Sequence, residues 1–174
     1  MRRLETTVAI CLLIGAAPLR AAVPSELEPL TFLVGEWRAS GGGEPGQGTG
    51  SATFTRGLQD RVILRTNYAD YPAAEGRPAS RHDDLMVIYA GPRGGIRADY
   101  YDNEGHVIHY VVQTPAPRKA VFVSEAAGSE PRFRLSYELG STGELKGEFA
   151  IAPPDSPEAF RRYLSWVSRE ATTK

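Results

Sequence analysis

Between Glu36 and Arg169 no stretch runs to helix length without interruption. Short apolar runs are separated instead by Gly, Pro, Asn and Asp, the residues that supply turns. Strands are predicted over 36–40, 51–56, 61–68, 85–89, 96–101, 106–113, 120–124, 132–139, 145–151 and 163–169. Parallel βαβ units need intervening helical segments of about 10–15 residues, and none is present. The fold class is therefore all-β and antiparallel. About ten strands cannot stay an open sheet, because unpaired edges recruit other chains, so the sheet must close on itself or split into a sandwich. No internal repeat and no second domain is visible.

Individual elements can be read further. Phe133, Leu135, Tyr137 and Leu139 alternate with polar residues and share one strand face. Leu85-Met86-Val87-Ile88-Tyr89 is apolar on both faces and is expected to be covered on both. The longest interruption is the polar loop from Tyr71 to His82. Asp102-Asn103-Glu104-Gly105 reads as a type I turn with Gly105 in a left-handed position. This turn pairs Asp102 with His106, Tyr101 with Val107, Asp99 with His109 and Arg97 with Val111. The opposite face carries Ile96, Ala98, Tyr100, Ile108, Tyr110 and Val112, a more apolar set expected to point inward. Ser25 and Glu28 are spaced as a capping box for a short helical turn, and Ser156-Pro157-Glu158 reads as the start of another single turn.

The amino terminus resembles an export signal. Arg2 and Arg3 precede the apolar run Val8–Ala17, which is too short to span a bilayer, and small residues follow up to Ala21 and Ala22. Residues 1–22 are read as a cleavable signal peptide and 23–174 as one domain, with a periplasmic or secreted destination. Cys11, the only cysteine, lies inside the apolar run, so a lipid anchor at the cleavage site is rejected and the mature chain has no disulfide. The chain has 20 basic and 21 acidic residues, a net charge of −1. Without Arg2, Arg3, Arg20 and Glu5 the count is 17 to 20, or −3. No basic block is present, so nucleic acid is not an expected partner. No second long apolar run follows the signal, so no membrane span is expected after cleavage.

Gly35-Glu36-Trp37 at the head of this strand series, with Arg169 near its end, resembles the calycin superfamily of lipocalins, fatty-acid-binding proteins and nitrobindin-like barrels. Leu30-x-Phe32-Leu33-Val34-Gly35-Glu36-Trp37 is also similar to bacterial calycin-like families of unknown function. The resemblance implies an up-and-down β-barrel in which first and last strands meet and Arg169 packs over the Trp37 indole, an arrangement suited to cation–π stacking. About ten strands fit the fatty-acid-binding or nitrobindin type better than an eight-stranded lipocalin. Nitrobindin-like proteins hold haem through a histidine near the carboxyl terminus. The last of the three histidines here is His109 and none lies in 160–174, so no cofactor is expected.

Candidate chemistry is sparse. Asp99 could orient His109 as a general base, against the plain reading of an exposed cross-strand pair. His82-Asp83-Asp84 offers metal-ligand types, but only His82 and Asp84 share a strand face. No metal site is assigned, and the segment is read as a solvated loop end. Gly41–Gly50 lacks the Lys-Ser or Lys-Thr of a phosphate loop. No catalytic residue is assigned. Aromatic residues on separate strands could line one interior, or simply fill it. The candidate ligand-binding set is Tyr100, Tyr110, Phe122, Tyr137 and Trp166 with His109. The expected role is non-covalent binding of a small, mostly apolar ligand inside the barrel. The alternatives are an enzyme using Asp99–His109 and a filled barrel acting as an interaction module.

Overall fold

The computed structural model describes residues 26–41, 48–126 and 128–171. The expected signal peptide and Ser25 lie outside the described residues, as does the centre of the glycine-rich loop. The strands are β1 (Gly35–Ala39), β2 (Thr49–Gly57), β3 (Val62–Tyr71), β4 (Ser80–Ala90), β5 (Ile96–Asp102), β6 (Val107–Ala116), β7 (Lys119–Ser124), β8 (Arg132–Leu139), β9 (Glu144–Ala152) and β10 (Arg161–Glu170). Each pairs antiparallel with its sequence neighbour, and β1 pairs with β10, so ten strands close into one barrel. Closure removes every sheet edge, the liability that a ten-stranded meander must resolve.

Alternation sets the inside and the outside. On β8, Leu135 and Tyr137 are buried while Glu138 is exposed. The β5–β6 register matches the predicted pairs, including Asp99 with His109 and Tyr100 with Ile108. Gly105 sits at φ 92° and its N–H donates to the Asp102 carbonyl at 3.2 Å, as the left-handed turn position requires.

Several expectations change. The loop from Tyr71 to His82 is shorter than expected: Tyr71 pairs with Ser80 and Asp70 with Arg81, and an Ala74–Arg77 bridge tightens the connection over 72–79. His82, Asp83 and Asp84 therefore lie within β4 rather than at a loop end. The two faces of β4 differ: Met86 and Ile88 are fully buried, whereas Leu85 is 40% exposed. Ser156 begins a turn rather than a helix, with the Ala159 N–H on its carbonyl. The first helical turn is a 3-10 helix over Glu28–Leu33, entered from Leu27 without a side-chain cap. Leu30-Thr31-Phe32-Leu33 thus precedes the first strand, which begins at Gly35.

That 3-10 helix closes one end of the barrel. Leu27, Leu30 and Leu33 are all at 0% exposure and pack with Trp37, Ile63, Ile88 and Leu145. Burying each leucine is worth about 1.5–3 kcal/mol. Trp37 donates its indole N–H to the Leu33 carbonyl at 2.7 Å, fastening the helix to β1. The meeting of first and last strands is as expected, but Arg169 does not cover Trp37. The register sets Arg169 opposite Arg38, on the outer face, and Glu170 opposite Trp37. Neighbouring residues on a strand face opposite ways, so a one-residue difference in register removes the stack.

Candidate functional site

The end of the barrel remote from the 3-10 helix is built differently. There the inward side chains of Tyr100, Ile108, Phe133, Phe149 and Trp166 are only partly buried, although they pack against the core. They line the inner face of the sheet as mostly aromatic walls packed against the core. Phe133 and Phe149 stack at 5.8 Å on adjacent strands. Trp166 lies edge to face with Tyr137 at 6.1 Å. A glycine makes that placement possible: a Cβ on Gly147 would fall 2.1 Å from the Trp166 ring.

Below the walls runs a column of edge-to-face aromatic contacts. Tyr100 meets Tyr110 at 6.4 Å, Tyr110 meets Phe122 at 6.1 Å, and Phe122 meets Tyr137 at 6.1 Å. Such pairs add about 0.5–1.5 kcal/mol each beyond the area they bury. Tyr110, Phe122 and Tyr137 are almost wholly buried. Five of the six predicted ligand-binding residues are therefore brought together inside the barrel, two of them on the aromatic wall and three beneath it. The sixth is elsewhere. His109 points outward, 61% exposed, with its Nδ1 2.6 Å from Asp99 Oδ1. The pair edges a shallow outer groove of about 220 Å³ that also touches Tyr89 and Arg97.

The sequence reading did not anticipate a charged cluster inside the barrel. Arg65 on β3 projects into the barrel and forms an ion pair with Asp84 on β4; their side chains are 6% and 2% exposed. Asn67 donates its amide to Asp84 Oδ2 at 2.8 Å. His82, two residues from Asp84 on the same face, brings Nε2 to 3.4 Å from that oxygen. Its Nε2 also lies 3.0 Å from the Tyr100 hydroxyl, and its Nδ1 lies 3.0 Å from Glu104 Oε1. Tyr100 donates onward to Asp102 Oδ2 at 3.3 Å. Asp102 also accepts the backbone N–H groups of Glu104 and His106, with the His106 ring at 2.9 Å. One chain of polar contacts thus links β3, β4, β5 and the β5–β6 turn.

The electrostatics follow from this arrangement. Hydrogen bonding to Asp84 raises the His82 pKa to about 9; burial opposes the shift and Glu104 supports it. His82 is then an imidazolium at neutral pH, donating from both ring nitrogens. Burial works against the Arg65 charge, but the Asp84 carboxylate outweighs it and its pKa is raised. Burial, with the charge of Asp84, pushes the Tyr100 hydroxyl far above its ordinary value. Burial also pushes Tyr137 up to about 12. Both phenols stay protonated and act as neutral hydrogen-bonding groups.

Glu144 Oε2 is buried without a hydrogen-bond partner at the start of β9, and so are two atoms of the interior, Arg65 Nε and the Tyr137 hydroxyl oxygen. The latter two belong to neighbouring side chains, since the Arg65 guanidinium carbon lies 6.0 Å from the Tyr137 ring centroid. A buried orphan of this kind costs about 1–3 kcal/mol.

His82 and Asp84 do converge, as their shared face predicts, while Asp83 turns outward to Arg81. The contacts of His82 diverge, however, with Glu104 on one nitrogen and Asp84 on the other. Among the described residues no group of three or more His, Cys, Asp or Glu could hold a metal ion. Among them also, no helix is long and apolar enough to cross a membrane.

Arg65 and Asn67 had one signal in the sequence: they share parity with Ile63 on β3. Val62 and Leu64 make the opposite face apolar too, so the inward face of that strand could not be chosen from pattern alone. No protein-family model matches this chain, and a search of curated proteins finds no match either.

Proposed function

We propose that this protein is an exported, calycin-like barrel that binds a small, mostly apolar molecule at the open end of its interior. One observation carries the reading. Leu27, Leu30 and Leu33 of the 3-10 helix are fully buried, whereas the aromatic side chains of Tyr100, Phe133, Phe149 and Trp166 are only partly buried. Aromatic side chains with a few polar groups among them are the usual lining of a small-molecule site. The closed ten-stranded antiparallel barrel is consistent with the calycin fold, and the apolar run near the amino terminus supports export.

The cluster around Arg65 and Asp84 adds a polar end to this site. A buried charge network is costly to build, and perturbed groups in a concave site mark function more often than they mark stability. Running from Arg65 in the interior to the β5–β6 turn, it sets directional polar contacts beside the apolar surface of the aromatic walls.

Native mass spectrometry of protein purified from its own compartment tests the reading. A stoichiometric bound mass is expected. Removing it and adding it back should change the fluorescence of Trp166, which lies on the aromatic wall, and should still do so in Trp37→Phe. Absence of a bound mass, together with unaltered Trp166 emission across a panel of apolar compounds, would refute interior binding.

A further inference from the structure

We propose that a groove on the outer face of β7, β8, β9 and β10 is a second binding site, and that it takes an acidic oligosaccharide, a short sugar chain bearing carboxylates. The site is separate from the barrel interior and does not depend on binding there.

The strand register builds the groove. Val121, Ser136, Glu148 and Ser165 stand opposite one another across the four strands. This row faces outward, since the adjacent Phe122, Leu135 and Tyr137 are buried in the core. Two residues away along each strand the side chains are longer. Lys119, Glu138 and Lys146 form one flanking row, and Arg134 and Arg162 form the other. Short Val121, Ser136 and Ser165 between long charged neighbours leave a trough of about 640 Å³, a size usual for ligand sites. At about 3.3 Å per residue the two walls stand about 13 Å apart at the backbone, and three gaps of about 4.8 Å between strands give a length of about 14 Å. These dimensions suit a short chain better than a single small ion.

Charge defines the ligand. Four cations and two carboxylates line the trough, a surplus of two positive charges in a chain whose net charge is −1. Two of the cations are committed. Lys119 Nζ lies 2.9 Å from Glu138, and Arg134 lies 3.5 Å from Glu148 while its guanidinium covers the Phe160 ring at 4.8 Å. The other two are spare. Arg162 has no ion pair among the described residues, and Lys146 reaches only Glu144, at 3.9 Å. They stand on opposite walls, so a ligand that meets both carries two anionic groups held apart. Between them the Glu148 carboxylate repels an anion but accepts hydrogen bonds from hydroxyls, and the Ser136 hydroxyl both donates and accepts. The complementary molecule has carboxylates at its sides and hydroxyls at its middle, the layout of a uronic-acid chain. The Arg162 fork matches such a carboxylate. An extended acidic peptide supplies the charges, but it offers one N–H per residue where a sugar ring offers several hydroxyls.

Isothermal titration calorimetry of the full chain at pH 7 and low ionic strength tests this with trigalacturonate, maltotriose and triglutamate. Trigalacturonate is expected to bind at least about ten-fold more tightly than either of the others, and to weaken as salt is added. Arg162→Gln and Lys146→Gln change exposed side chains, so the thermal melt should not move. Each should weaken trigalacturonate by about five-fold or more. Triglutamate binding as tightly as trigalacturonate would assign the groove to acidic peptides, and equal binding of maltotriose would show that the spare cations play no part; either overturns the proposal. So would a failure of trigalacturonate to bind, or binding indifferent to both variants. None of these results bears on interior binding, because the groove lies on the opposite face of the sheet.

Discussion

The two ends of this barrel use the same strands and opposite chemistry. At the end closed by the 3-10 helix, Leu27, Leu30, Leu33 and Trp37 pack against apolar residues, and the one polar atom in that plug, the Trp37 indole N–H, has its acceptor. At the other end Arg65, Asn67, His82 and Asp84 stand on inward positions among aromatic walls that stay partly exposed. The closed end is mostly apolar, as stability favours, with Glu144 Oε2 at the start of β9 the polar atom buried there without a partner. The open end departs from that pattern, with a buried ion pair, two orphan atoms and half-covered rings. The buried Arg65–Asp84 ion pair is the departure that points to the open end as a candidate site.

Three perturbations would break or sharpen this contrast. The largest effect is expected at the open end. Asp84→Ala leaves the Arg65 guanidinium buried without its partner, and a loss of about 3–5 kcal/mol is expected in urea denaturation. The double variant with Arg65→Met should recover most of that loss, because removing both charges removes the penalty. A small effect for Asp84→Ala alone would mean that Arg65 reaches water, and the description of a dry floor would fail.

At the closed end, Leu30→Ala should cost about 3 kcal/mol by deleting a fully buried side chain from the plug. The cost should vary little with pH, since what is lost is the packing of an apolar side chain. A strongly pH-dependent loss would show that the two ends are coupled.

The smallest effect concerns His82. Its folded pKa is raised above the ordinary value of 6.5 to about 9, so its contribution is fully present below about pH 6.5 and lost as pH rises through about 9. Partial exposure screens the contribution to on the order of 1–2 kcal/mol. Thermal melts of His82→Gln and the parent protein should therefore differ at pH 6 and converge by pH 10. Parallel curves across that range would refute the imidazolium network.

Much of this architecture was legible in the residues. The period-two alternation of 132–139 and the Asp102–Gly105 turn gave strand, register and face together, and the rings of Tyr100, Tyr110, Phe122, Tyr137 and Trp166 contact one another in sequence. The charged cluster was not, for a physical reason. β3 and β4 carry apolar residues on both faces, so parity does not tell which residues enter the barrel. His82 and Asp84 resembled a loop end because proline, glycine and alanine precede them, yet pairing with β3 carries the strand through to Ser80. The Arg169–Trp37 stack failed on a one-residue register that depends on how β1 and β10 meet across the whole barrel.

The sequence alone determined an all-β antiparallel chain of about ten strands, because alternation and turn chemistry are local and act within a few residues of one another. Only the tertiary structure decided which end is closed, which face of β3 and β4 points inward, and that Arg65, Asp84, His82 and Tyr137 share one interior. Those outcomes depend on pairings between distant strands and on one ring closure, where a shift of a single residue exchanges inside for outside.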